Sequence, residues 1–190
     1  MASPIFEVEQ ENISGIEPEK IRPILQLVVP KRTKLSPNQT ITGNRYDLVL
    51  VCQPDDYHNY PFYDSIIELI EVIRNLRMYS PHNDVRRDHT LENSVVFATK
   101  EAIPRTRGVI LHLTEVTPEI QKMFDATYLN SVPFLLFYPR DCFYKDQPLD
   151  EDAVKILKSD SHYKGEIIYC DEQEALREIS LRLNDLISYK

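Results

Sequence analysis

Glycine is scarce in this chain, with 4 in 190 residues. That leaves no glycine cradle for phosphates. Neither G-x-x-x-x-G-K-[ST] nor G-x-G-x-x-G occurs, and the G-x-S-x-G elbow of serine hydrolases is absent as well. Cysteine is equally thin: Cys52, Cys142 and Cys170 are odd in number, widely spaced and free of any C-x-x-C. They read as reduced thiols of a cytoplasmic protein rather than a disulfide framework. No charged-then-apolar leader opens the chain, and no apolar run could span a bilayer, so a soluble intracellular protein with no membrane partner is expected. No His/Asp/Glu set has ligand-like spacing, so neither a metal nor a cofactor is expected. Positive charge is in the minority, with 22 Lys and Arg against 30 Asp and Glu, a formal net charge of -8. Nucleic acid polymers and anionic membranes both need a basic face, which this balance disfavours. The local clusters Lys31-Arg32, Arg86-Arg87 and Arg105/Arg107 read as solvated edges.

What is present is a repeating order of strands and helices. The central stretch is Gly108 to Pro139, which reads strand, turn, helix, turn, strand. Val109 to Leu113 and Pro133 to Tyr138 are apolar without clean alternation, as expected of strands buried on both faces of a parallel sheet. Thr117-Pro118 is a helix start, and Ile120, Met123, Phe124 and Thr127 follow at helical spacing.

Around this βαβ unit the pattern continues. Asp47 to Cys52 is a first strand, Phe62 to Leu76 a helix, Arg77 to Ser80 a short strand, and 81–88 a loop. Thr90 to Ile103 is a second helix, and Leu149 to Leu157 a later one after a loop from Arg140 to Pro148. Glu166 to Tyr169 is a fifth strand, and Asp171 with Glu174 forms a capping box for a last helix. The alternation specifies a three-layer α/β domain over 44–190, with a flavodoxin/Rossmann-like five-stranded parallel sheet of order 2-1-3-4-5. Residues 1–43 read as an extension that wraps the domain or a neighbouring subunit, or is only partly ordered, and the apolar ILQLVV at its centre suggests a homo-oligomer.

In such a sheet a ligand sits beyond the carboxyl ends of the strands, where the winding reverses. The order places that point between the first and third strands. The flanking loops bring carboxylates Asp55, Asp56, Asp84 and Glu115, imidazoles His58 and His82, and phenols Tyr57 and Tyr60 to one rim. Thr117 adds the free N–H groups of a helix start. His112 lies inside a strand and reads as a satisfied core histidine.

Tyr46 to Pro54, RMYSPHND at 77–84, TKEAIPRTRGVILHL at 99–113 and Thr117 to Tyr138 follow one another in a telling order. Taken together they resemble the nucleoside 2-deoxyribosyltransferase-like superfamily, whose relatives include nucleotide N-glycoside hydrolases and, more distantly, TIR-type domains. The last of these segments is similar to the family's "Ser-Pro … Phe-Glu-x-Gly-Tyr … Lys-Pro-Val" unit. The resemblance implies a nucleoside or nucleotide substrate and a carboxylate that attacks or stabilises the anomeric carbon. It would place the nucleophile at Asp125, with Tyr128 orienting it, Tyr57 positioning the ligand, and Glu115 holding the sugar or protonating the base. The departures are Asp for Glu, Thr127 for glycine, and a turn to Pro133 shortened by about two residues. Anchored instead on Pro133, the catalytic position falls on Met123 and Glu119 becomes the nearest carboxylate. Two functions stay open: an N-glycoside hydrolase or transferase, and a catalytically silent nucleotide-sensing or protein-interaction domain.

Overall fold

The computed structural model describes residues 26–32, 45–140 and 149–187. Most of the N-terminal extension, most of the loop after the fourth strand, and Cys142 lie outside the described residues.

Five parallel strands form one sheet in the order β2-β1-β3-β4-β5, as the alternation predicts. They are β1 (Tyr46–Val51), β2 (Met78–Tyr79), β3 (Thr106–His112), β4 (Phe134–Pro139) and β5 (Tyr163–Tyr169). The helices are α1 (Tyr60–Glu68), α2 (Pro81–Arg86), α3 (Leu91–Phe97), α4 (Pro118–Leu129), α5 (Glu151–Lys158) and α6 (Glu172–Ile187). Successive strand residues point to opposite faces, so the apolar runs feed two cores. Leu48, Leu50, Ile110, Leu135 and Phe137 pack against Tyr63 and Ile66 of α1 and Ile179 and Leu183 of α6. Val49, Val51, Val109, Leu111 and Leu136 pack against Val95 of α3, Met123 and Phe124 of α4 and Leu157 of α5. All of these strand residues are fully buried.

Helix starts follow side-chain chemistry. The Thr117 hydroxyl accepts the Ile120 N–H at 3.2 Å, and Asp150 accepts from Ala153 at 2.9 Å. Asp171 accepts the Glu174 N–H at 2.8 Å. Glu174 reaches back to the Cys170 N–H at 2.7 Å, one residue earlier than the usual reciprocal bond.

Three segments depart from expectation. The helix expected over 62–76 ends as α1 at Glu68, then widens into a π-helical turn, Leu69–Ile73, and stops at Asn75 with φ 54°. The helix expected over 90–103 ends at Phe97, widens over Ala98–Ala102 and closes in a 3₁₀ turn, Ile103–Arg105. Pro104 has no N–H with which to continue the ladder, so the ending is forced. The expected loop after β2 contains α2 instead. Its Pro81 stands at the first helical position, after an extended Ser80.

Residues 26–32 take neither helix nor strand and lie across α4. Leu27 is 2% exposed and belongs to this chain's own core. The Gln121 side chain accepts the Val28 N–H at 3.1 Å and donates to the Val28 carbonyl at 2.7 Å. Arg32 bonds the Tyr128 carbonyl, lies 4.3 Å from the centre of the Tyr128 ring, and pairs with Asp160 at 2.8 Å. The segment is therefore a strap holding α4 to the region before β5.

Gly108 marks the closest approach of α6 to the sheet. A Cβ there would meet Leu48 Cδ2 at 3.2 Å and Leu186 Cβ at 3.3 Å. Gly108→Val should overpack this contact and cost about 1–3 kcal/mol. Urea denaturation of the pair measures it, and equal midpoints would show that α6 can move away freely.

Candidate functional site

The loops after β1 and β3 meet where the winding reverses, and one side chain ties them together. Gln53 Oε1 accepts the Thr117 hydroxyl at 2.5 Å, while Gln53 Nε2 donates to Asp55 at 2.6 Å. Thr117 thus caps α4 and bridges the crevice at once. Asp56 is half-buried beside it, accepting from Asn59 at 2.6 Å and from the Tyr63 hydroxyl at 3.4 Å. Tyr57 is 66% exposed, its ring 5.1 Å from that of Tyr60. His58 and Glu115 are exposed on the same two loops. The mouth therefore brings together Asp55, Asp56, Tyr57, His58, Glu115 and Thr117 of the residues expected there.

His82 and Asp84 are elsewhere. His82 is fully buried at the start of α2, against the Ser80 hydroxyl at 2.6 Å and Asp64 at 3.3 Å. Burial lowers its pKa, against the opposing pull of Asp64. Burial also acts to raise the Asp64 carboxyl. The Arg86 fork at 3.1 and 3.0 Å and His82 outweigh it and hold that carboxyl below its ordinary value. Ionised Asp64 can only accept, so His82 Nε2 carries the hydrogen and Nδ1 accepts from Ser80. Cys52 lies behind, its sulfur 3.7 Å from Ser80 Oγ, and burial pushes its thiol up to about 12. This cluster locks β1, β2 and α1 together. Asp84 accepts the Tyr79 hydroxyl at 2.5 Å and faces the β2 edge.

The α4 residues also separate. Asp125 is half-buried beside the strap, bonded to Gln121 at 2.7 Å, and burial raises its pKa against that bond. Met123 is fully buried in the core between the sheet and its helices, at 0% exposure. Thr127 is equally buried and turns its hydroxyl onto the Met123 carbonyl at 2.9 Å. Tyr128 lies under Arg32 with its hydroxyl toward Asp160, not toward Asp125. Glu119 stands half-buried in the first turn of α4, nearest the mouth.

Behind the mouth runs a chain of polar groups that sequence reasoning did not join. The Tyr63 hydroxyl is 3.0 Å from His112 Nδ1, and the Tyr169 hydroxyl is 2.9 Å from His112 Nε2. The His112 ring stacks on Phe137 at 4.6 Å. Tyr63 donates to Asp56, so its oxygen is left to accept from Nδ1–H, and Nε2 accepts from Tyr169. Burial lowers the pKa of His112 to about 4, and it is the satisfied core histidine expected. The partners lie 49 and 57 residues away along the chain. A phenol or imidazole inside an otherwise apolar run was the one available signal. Among the described residues no group of three His, Cys, Asp or Glu side chains could hold a metal ion, and no helix is long and apolar enough to cross a membrane.

Fold and crevice together define a doubly wound α/β domain of flavodoxin-like order with an acidic mouth. No protein-family model matches the chain, and no curated protein matches it.

The buried imidazole gives a pH dependence. Above about 6.5 His112 is neutral in both folded and unfolded chains, and its contribution is complete. As pH falls from there toward about 4, the unfolded chain takes up a proton that the folded one refuses, so stability is lost, by on the order of 3 kcal/mol in all. His82 acts in the same direction. Urea midpoints measured between pH 7 and pH 5 should fall, and less steeply in His112→Gln. An equal slope in the variant would mean that His112 takes up its proton alike in the folded and the unfolded chain.

Proposed function

We propose that the chain is a nucleoside-binding domain, similar to the nucleoside 2-deoxyribosyltransferase-like superfamily, that holds its ligand at the β1/β3 crevice without cleaving it. One observation carries the choice against turnover. Asp125 is bonded to Gln121 beside the N-terminal strap, and the other register puts buried Met123 at the catalytic position. The α4 carboxylate near the mouth, Glu119, stands a turn before the position that the second register makes catalytic.

The mouth itself favours a neutral polyol over a phosphate. Asp55, Asp56 and Glu115 would accept from ribose hydroxyls but repel a phosphate, in a chain whose net charge is already -8. Exposed Tyr57 offers a ring face to a base. Gln53, bonded to both loops, is the group a ligand would have to displace or join.

The test is a screen of the common nucleosides and their 5′-monophosphates, read by thermal shift and by chromatography of free base. A nucleoside should raise the melting temperature more than its monophosphate, with no base released. Tyr57→Ala should weaken that binding by about 1 kcal/mol without changing stability. Base release abolished by Asp125→Ala or by Glu119→Ala would establish the glycoside hydrolase instead. The absence of a shift with every compound would remove the nucleoside reading.

A further inference from the structure

A second recess lies at the outer edge of the sheet, along β2, and it shares no lining residue with the crevice loops. Its volume is about 550 Å³, within the range of small-molecule sites. Arg45, Arg87 and His89 all line it. Elsewhere in this acid-rich chain Arg74 bonds Ser180 and Asn184, and Arg32, Arg77, Arg86, Arg105, Arg107 and Arg177 each have a carboxylate within 4.0 Å. Among the described residues Arg45 and Arg87 have none, and they converge on one cavity.

The recess also contains acids, but each already serves a donor of the protein. Glu71 accepts the Met78 N–H at 3.2 Å, covering the open edge of β2. Asp84 accepts the Tyr79 hydroxyl. The arginines have no such engagement with an anion. Arg45 is held in place by rings, its guanidinium carbon 5.5 Å from the centre of Tyr46 and 5.4 Å from that of Phe97. Aromatic contact of this kind fixes a guanidinium while leaving its N–H fork available. Asn83 and Asn93 complete the wall with neutral amides.

We propose that this recess is a binding site for a small molecule bearing a carboxylate or a phosphate monoester, held between Arg45 and Arg87 with the asparagines bonding its polar body. A planar fork is suited to either oxyanion, and charge-assisted bonds from two arginines give such a group a defined seat. The site is independent of the crevice: one takes an anion at the β2 edge, the other a neutral sugar at the β1/β3 mouth.

Phenyl phosphate and benzoate are the probes, with benzyl alcohol as the neutral control, in calorimetry and in amide NMR on the full chain. At least one anion should bind at millimolar concentration or below, less tightly as salt rises, and shift the amides of Arg45, Asn83 and Asn93. Binding of phenyl phosphate alone would assign a phosphate monoester, and binding of benzoate alone a carboxylate. Arg87→Gln, at an exposed position, should lower the affinity at least about tenfold with an unchanged melting temperature, and Arg45→Gln, which also gives up its ring contacts, should lower the affinity at least as much. No binding of either anion, equal binding of benzyl alcohol, or affinity untouched by both substitutions would overturn the proposal. Adenosine shifts at Gln53 and Thr117 report on the crevice, so the two readings fail separately.

Discussion

The two-sided burial of β1, β3 and β4 is the constraint from which the rest of the structure follows. A parallel strand cannot return directly to its neighbour, so each crossover carries a helix, and the helices must cover both faces. Leu48 and Leu50 face α1 and α6 while Val49 and Val51 face α3 and α4. Both faces are thereby filled. What remains free to vary is the rim at the carboxyl ends and the outer edge of β2. Both candidate sites lie there.

Placing polar groups inside such a sheet is costly unless each is matched. His112 meets the condition with a phenol on either nitrogen, and His82 with Ser80 and Asp64. Each network spans elements distant in sequence. The first joins α1, β3 and β5, and the second joins α1, the end of β2 and α2. They act as position locks beneath the mouth. Asp56 is the point where the first network reaches the crevice, through Tyr63. A ligand there would be felt by the core through hydrogen bonds rather than through packing alone.

The strap changes what α4 can do. A helix on an α/β face ordinarily offers its flank to solvent or to a ligand at its N-terminus. Here Gln121 is bound to both backbone groups of Val28, and Leu27 is packed into the core. Arg32 then fixes the far end through Tyr128 and Asp160. Asp125 is thereby next to a protein segment instead of the crevice. The apolar centre of the N-terminal extension is in part accounted for within one chain, since Leu27 needs no neighbour to leave water.

The sequence by itself determined the architecture. The apolar runs 47–52, 109–113 and 133–138, the helical spacing after Thr117 and the caps at Thr117 and Asp171 are local features. Hydrophobic period and capping chemistry act over a few residues, so they survive in one dimension. The mouth was legible to the extent that topology dictates it: Asp55, Asp56, Tyr57, Glu115 and Thr117 follow strands whose order could be inferred. Tertiary structure alone decided the rest. Whether His82 faced the rim or the core depended on a turn of helix beginning at Pro81 and on Asp64, a residue of another element. Whether Asp125 met a ligand or a strap depended on a segment nearly a hundred residues earlier in the chain. The placing of Arg45 and Arg87 in one recess at the β2 edge, and the pairing of Tyr63 and Tyr169 with His112, have the same origin. Long-range partners are set by how layers close on one another, and no local pattern records that closure.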